Sequence, residues 1–207
     1  MPDGGGAPLA AALALVAAAG TERRTVVLVE GASDVAAVEA LADRDGRDLD
    51  AERITVVPIG GSKSFGPFVR AFGPAGLGVR LAGLYDAAEQ RDVERALDRA
   101  GLLPTGADGD SALAAAGFFR CDADLEDELI RALGARKVEE VVAADGALPS
   151  LRIMQKQPAQ RDRSAAAQLR RFIGTRSGRK IRYGRLLVEA LDRDATPTPL
   201  AALLAYL

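Results

Sequence analysis

Thr25-Val26-Val27-Leu28-Val29-Glu30-Gly31-Ala32-Ser33-Asp34 is the stretch from which the architecture follows. The run Thr25–Val29 is β-branched or aliphatic without a polar break, the pattern of a strand buried on both faces. Glu30-Gly31 ends it, and a helix is predicted from about Ser33 to Ala42, with Val35, Val38, Leu41 and Ala42 on its apolar side. Working outward, Ile54–Ile59 repeats the buried-strand pattern before Gly60-Gly61, and Val79–Tyr85 repeats it before Asp86. A helix is predicted over Arg91–Ala100, a shorter strand at Gly117–Arg120 and a helix over Leu125–Leu133, with Thr105–Asp110 as a loop. This alternation predicts an α/β fold, a Rossmannoid parallel sheet of about four strands flanked by helices. Pro8–Ala19 reads as a helix preceding the sheet. Beyond Pro149 the pattern changes to basic helices, Arg163–Ile173 and Lys180–Leu191, and an apolar helix Leu200–Leu207. Three parts are therefore expected: a helical extension (1–23), an α/β domain (24–146) and a basic helical region (147–207).

Composition narrows the chemistry. The 207 residues contain no histidine, which removes Ser-His-Asp and Cys-His nucleophiles, His-ligated zinc and histidine general bases. The one cysteine, Cys121, follows an apolar strand and reads as an inert core residue, so neither a disulfide framework nor an all-cysteine metal site is open. Carboxylates, lysine, arginine and hydroxyls remain, a set that suits hard divalent cations. The apolar stretch Pro8–Gly20 follows an acidic, Gly-rich start and is too short to span a membrane, so a cytoplasmic location and no membrane partner are expected.

In an open parallel sheet, ligands gather at the carboxyl ends of the strands. Glu30 and Asp86 stand at two such ends, and Asp34, on the first helical turn after Glu30, can turn back toward the same place. Carboxylates meeting at one edge repel each other unless a cation lies between them. Spacing alone equally fits a plainer reading, in which Asp34 caps its helix and Glu30 and Asp86 are solvated loop acids.

Val27-Leu28-Val29-Glu30-Gly31-Ala32-Ser33-Asp34 resembles the opening motif of a TOPRIM domain, the metal-dependent module of topoisomerases, primases and OLD (overcoming lysogenization defect) nucleases. Leu84-Tyr85-Asp86-Ala87-Ala88-Glu89 stands where that family has Asp-x-Asp after its third strand. Asp124-Leu125-Glu126 and Ser177-Gly178-Arg179-Lys180, with Tyr183, resemble later pieces of OLD-family endonucleases. The resemblance implies a TOPRIM-like sheet, Mg2+ or Mn2+ as cofactor, and metal-linked acids at Glu30, Asp34, Asp86, Glu89 and Glu126. It also implies catalytic roles for Glu30 and Lys180. Two departures stand out. Ala88 occupies the place of the second acid of Asp-x-Asp, leaving Glu89 as the nearest substitute. The OLD-type ATPase has no counterpart either, because Ile59-Gly60-Gly61-Ser62-Lys63-Ser64 lacks the glycines of a P-loop.

Net charge is −2, but from Arg152 to Arg185 eleven bases face one acid, Asp162, so this segment carries +10 and the rest of the chain −12. Such a one-signed run differs from an ordinary solvated helix face, where signs alternate. Lys63, Arg161, Arg163, Arg170, Arg171, Arg176, Arg179, Arg182 and Arg185 are the expected contacts to nucleic-acid phosphates; for Lys63 a solvated loop lysine fits equally. Few aromatics interleave, so sequence-indifferent backbone binding is expected rather than base stacking. The resulting expectation is a divalent-metal-dependent nuclease acting on DNA. The alternative is a non-catalytic or regulatory TOPRIM nucleic-acid-binding module that works with a separately encoded ATPase. A homodimer would let two sites face one duplex.

Overall fold

Strands β1 (Thr25–Val29), β2 (Ile54–Pro58), β3 (Arg80–Asp86) and β4 (Phe118–Cys121) form one parallel sheet in the order β2-β1-β3-β4. This is a computed structural model that describes residues 6–18, 20, 25–61, 64–104, 109–175 and 177–207. Val27 lies opposite Val56 on one side and Ala82 on the other, and Gly83 lies opposite Phe118. Successive side chains of β1 enter different cores: Val26 and Leu28 one, Val27 and Val29 the other. Both faces are covered, which is why the strand carries no polar alternation.

The chain steps from β1 outward to β2, then returns past β1 to β3. Strand order therefore reverses between β1 and β3, the position at the carboxyl ends where open parallel sheets form their ligand crevice. Right-handed crossovers running in opposite directions place their helices on opposite faces. Accordingly α2 (Ala32–Arg44) packs on one face, and α3 (Phe65–Phe72), α4 (Gln90–Arg99) and α5 (Gly109–Ala115) on the other, joined there by Ala12 and Val16 of α1 (Gly6–Ala18).

The α2 face also carries α6 (Leu125–Ala144), α7 (Leu148–Gln155), α9 (Ala165–Gly174), α10 (Ser177–Glu189) and α11 (Thr198–Tyr206), with the single turn α8 (Pro158–Arg161) between α7 and α9. Their Leu129, Val138, Leu151, Phe172, Leu187 and Leu203 share one apolar cluster with Val27 and Val29. The pair α2–α10 is the most extensive helix contact. It is close because residue 184 is glycine: a Cβ there would run into the carbonyl oxygen of Ser33, which is backbone and cannot turn aside.

Several elements differ from the sequence reading, among them α7 and α8, for which it has no helix. The sequence reading has no helix at α3, although Phe65, Phe68, Val69 and Phe72 recur at helical spacing and are all buried. Truncating Phe68 to alanine would cost about 3–5 kcal/mol. The predicted loop Thr105–Asp110 gives way to α5 from Gly109, residues 105–108 lying outside the described set. The helix starting at Leu125 continues past Leu133, because Gly134, at φ 75° and ψ 151°, bends the chain and helix resumes to Ala144. Cys121 is buried and burial pushes its thiol upward, in keeping with an unreactive core residue. Among the described residues no helix is long and apolar enough to cross a membrane.

Candidate metal centre and nucleic-acid interface

Glu30 leaves the end of β1 half-buried, and its carbonyl accepts the N–H groups of Gly60 and Gly61 at 3.1 and 3.3 Å. The turn after β1 is thereby tied to the turn after β2. Asp34 is only 7 % exposed; its Oδ2 accepts the Gly31 N–H at 2.9 Å and its Oδ1 the Ser33 hydroxyl at 3.4 Å. It is thus both a helix cap and a buried acid. Burial and then the charge of Glu126 push its carboxyl up to about 7, against the opposing pull of the Gly31 N–H and Lys180.

Asp86 stands at the end of β3, across the crevice. Burial raises it to about 8, and the charges of Glu30, Glu89, Asp124 and Asp34 add to the shift. The 3-10 turn Ala87–Glu89 that follows exposes Ala88 and buries Glu89. Where the sequence loses the second acid of the pair, the next side chain turns inward and its charge bears on Asp86.

The start of α6 completes the set. Asp124 caps the helix, its Oδ1 accepting the Asp127 N–H at 2.8 Å, and its Oδ2 pairs with Arg170 of α9. Glu126 is buried, with Oε1 3.0 Å from Nζ of Lys180 on α10. Burial by itself would lower the Lys180 ammonium, but the carboxylates of Glu126, Asp34 and Glu30 outweigh it and hold the group above its ordinary value. Glu128 turns away, accepting the Asp122 N–H at 2.9 Å and pairing with Arg131.

Acids from β1, α2, β3 and α6 therefore share one electrostatic site at the strand-order reversal. Asp124 is the member that the sequence does not single out; its position just before the Leu125–Leu129 stripe gives no sign of the Asp86 neighbourhood. Among the described residues, no three His, Cys, Asp or Glu side chains stand ready-made around one point. The cause is visible: Lys180 draws Glu126, Arg170 draws Asp124, and Asp34 is bonded to its own turn. The donor chemistry nonetheless fits a hard divalent cation, since all the groups offer carboxylate oxygens whose mutual repulsion such an ion relieves.

The basic region divides in two. Arg170, Arg182 and Arg185 are engaged by Asp124, by Asp145 and by Asp43 with Glu189. Arg179 lies 3.9 Å over the Phe172 ring and donates to the Phe172 carbonyl at 2.9 Å. Arg161 donates to the Lys156 carbonyl at 3.2 Å. Arg163 and Arg171 are exposed, with no carboxylate partner among the described residues. Lys63 and Arg176 lie outside the described residues. Phe172 and Tyr183 are buried, the latter donating its hydroxyl to Asp145 Oδ2 at 3.1 Å, so neither offers a stacking surface.

Residues 23–87, which contain Glu30, Asp34 and Asp86, match the family model described as the overcoming lysogenization defect protein-like TOPRIM domain. The chain is similar to the solved C-terminal region of the Xanthomonas campestris pv. campestris OLD protein, at 28 % identity and a TM-score of 0.66, over 89 % of this chain and 94 % of that one. The C-terminal region of the Burkholderia pseudomallei OLD protein shares the fold, with 22 % identity and a TM-score of 0.66 over 89 % of this chain and 97 % of that one. A search of curated proteins gives no significant match. The chain thus carries a TOPRIM-like α/β fold resembling the TOPRIM part of OLD proteins.

Proposed function

We propose that this TOPRIM chain, resembling the C-terminal part of OLD proteins, is a divalent-metal-dependent nuclease acting on DNA. The TOPRIM match points to a nucleic-acid-related, metal-binding module. The observation that carries the finer reading is that Glu30, Asp34, Asp86, Glu89 and Glu126 lie within electrostatic reach of one another at the β1 and β3 ends, with Asp34 raised to about 7 and Asp86 to about 8 by burial and neighbouring carboxylates. Acids so crowded are poised for a cation. Those residues would hold Mg2+ or Mn2+, which supplies Lewis acidity toward a phosphodiester. The chain's own residues do the rest. Lys180, kept charged by its carboxylate neighbours, faces the site from α10 and offsets negative charge on phosphate oxygens. The burial of Asp34 and Glu126 limits water around them, which strengthens each electrostatic contact. The arginines of the C-terminal helices hold the polynucleotide by its phosphates.

The test is nicking of supercoiled plasmid by the purified chain with Mg2+ or Mn2+. Cleavage is expected, and Glu30→Gln and Asp86→Asn are each expected to abolish it while DNA binding persists. Folded protein that cleaves no substrate with either ion overturns the reading.

Ala88 favours a second reading, a non-catalytic module that binds nucleic acid alongside a separate ATPase. Calorimetric titration with Mn2+ separates the two, since identical isotherms for the wild type and Asp86→Ala would favour the module.

A further inference from the structure

Beside the acidic crevice, a groove of about 450 Å³ runs along α9, lined by Asp127, Arg163, Ser164, Arg170, Arg171 and Gly174 among others. Three arginines line one recess. Two of them, Arg163 and Arg171, have no carboxylate partner among the described residues and stand in water. Their planar forks fit phosphate oxygens in pairs. The third, Arg170, is engaged by Asp124, and Asp124 is also one of the charges that bear on Asp86. The same arginine therefore belongs to the groove and to the acidic crevice.

We infer that this groove seats a phosphate of the nucleic-acid backbone next to the acidic crevice, and that Asp124 is its built-in competitor, holding Arg170 until a phosphate takes its place. The inference deepens the proposed function and rests on its premise that the chain binds nucleic acid; it does not require cleavage. Phosphate entry transfers Arg170 from Asp124 to the ligand. The released carboxylate then joins the acids around Asp86, so backbone binding and cation binding favour each other. The arginines bound to Asp145 and Asp43 belong to other contacts and take no part.

The experiment is fluorescence anisotropy of a labelled 12-base-pair DNA duplex across a salt series, in EDTA so that no divalent ion contributes. Arg163→Gln and Arg171→Gln are each expected to weaken binding several-fold and to flatten the log K against log salt slope by about one. Asp124→Asn is expected to tighten binding several-fold and to steepen the slope by about one, because Arg170 is set free. Asparagine also caps helices well, so the fold is retained, as a thermal melt verifies. Made on the Arg170→Gln background, Asp124→Asn is expected to bring no gain over Arg170→Gln alone, because the arginine it would release is gone. A gain of the same size on that background would reflect net charge alone and overturns the competitor role. Unchanged slopes in Arg163→Gln and Arg171→Gln overturn the phosphate seat. Wild-type protein that fails to bind the duplex overturns the inference together with the DNA reading. Binding without cleavage in Mg2+ or Mn2+ overturns only the nuclease.

Discussion

Lys180 on α10 places its Nζ 3.0 Å from Oε1 of Glu126 on α6, joining two helices distant in sequence within reach of the charges of Asp34 and Glu30. The two ends are unequally buried: the glutamate side chain is 6 % exposed, the lysine 36 %. Removing the lysine therefore strands a charge that cannot reach water, whereas removing the carboxylate leaves an ammonium that can. Lys180→Met is expected to cost about 1–3 kcal/mol, which for a chain of this size lowers the melting temperature by roughly 2–4 °C per kcal/mol. Adding Glu126→Gln should recover part of the loss. A double variant no more stable than Lys180→Met alone would show that the pair is not coupled.

The raised carboxyls of Asp34 and Asp86 set a pH dependence. Their folded values, about 7 and about 8, lie above the ordinary 3.8, so between those limits the folded chain binds more protons than the unfolded one. The stability these two groups contribute is complete below about pH 4 and lost as pH rises through 7 to 8. In EDTA the melting temperature should fall across this window, with a shallower fall in Asp86→Asn. Mg2+ or Mn2+ should restore more stability at pH 8 than at pH 5.5. Thermal melts with and without the ion check both, and an ion effect independent of pH would contradict the shared site.

Gly184 sets how closely α10 approaches α2. Gly184→Ala forces the helices apart at Ser33, one residue from Asp34, and one helical turn from Lys180 on α10. A cost of about 1–3 kcal/mol is expected, with cleavage reduced more than DNA affinity. A variant that melts and cleaves like the wild type would remove the crossing from any role in placing Lys180.

Ala88 is exposed on the turn that buries Glu89, so Ala88→Asp should change stability little. It restores the second acid of the Asp-x-Asp pattern and is expected to strengthen Mn2+ binding measured by calorimetry. Unchanged isotherms would show that position 88 does not look toward the ion. Glu89→Gln should weaken the same binding.

The buried strands were legible because a strand covered on both faces is built mostly of apolar and β-branched residues, and β1, β2 and the buried part of β3 are. Glu30 and Asp86 were legible as the first charges after such strands, and the carboxyl ends of parallel strands form one edge. Phe65, Phe68, Val69 and Phe72 carried a readable helical period that the glycines around them obscured. The Arg170–Asp124 and Arg182–Asp145 pairs had no local signal at all. A charge count along the chain sees only sequence neighbours, whereas these arginines meet acids delivered by other helices. Glu89 was ambiguous for another reason: its direction depends on a 3-10 turn that rotates side chains differently from an α-helix.

The bend at Gly134 has a consequence for how this protein can drift over generations. Because α6 changes direction there, one segment grips α10 twice, through Glu126 before the bend and through Asp145 at its far end. Inserting or deleting one residue between those grips would rotate one against the other by about 100°, and both could not then be satisfied. Length should accordingly be frozen from 126 to 145 among descendants of this sequence, while substitutions on the outer surface of the same segment accumulate freely.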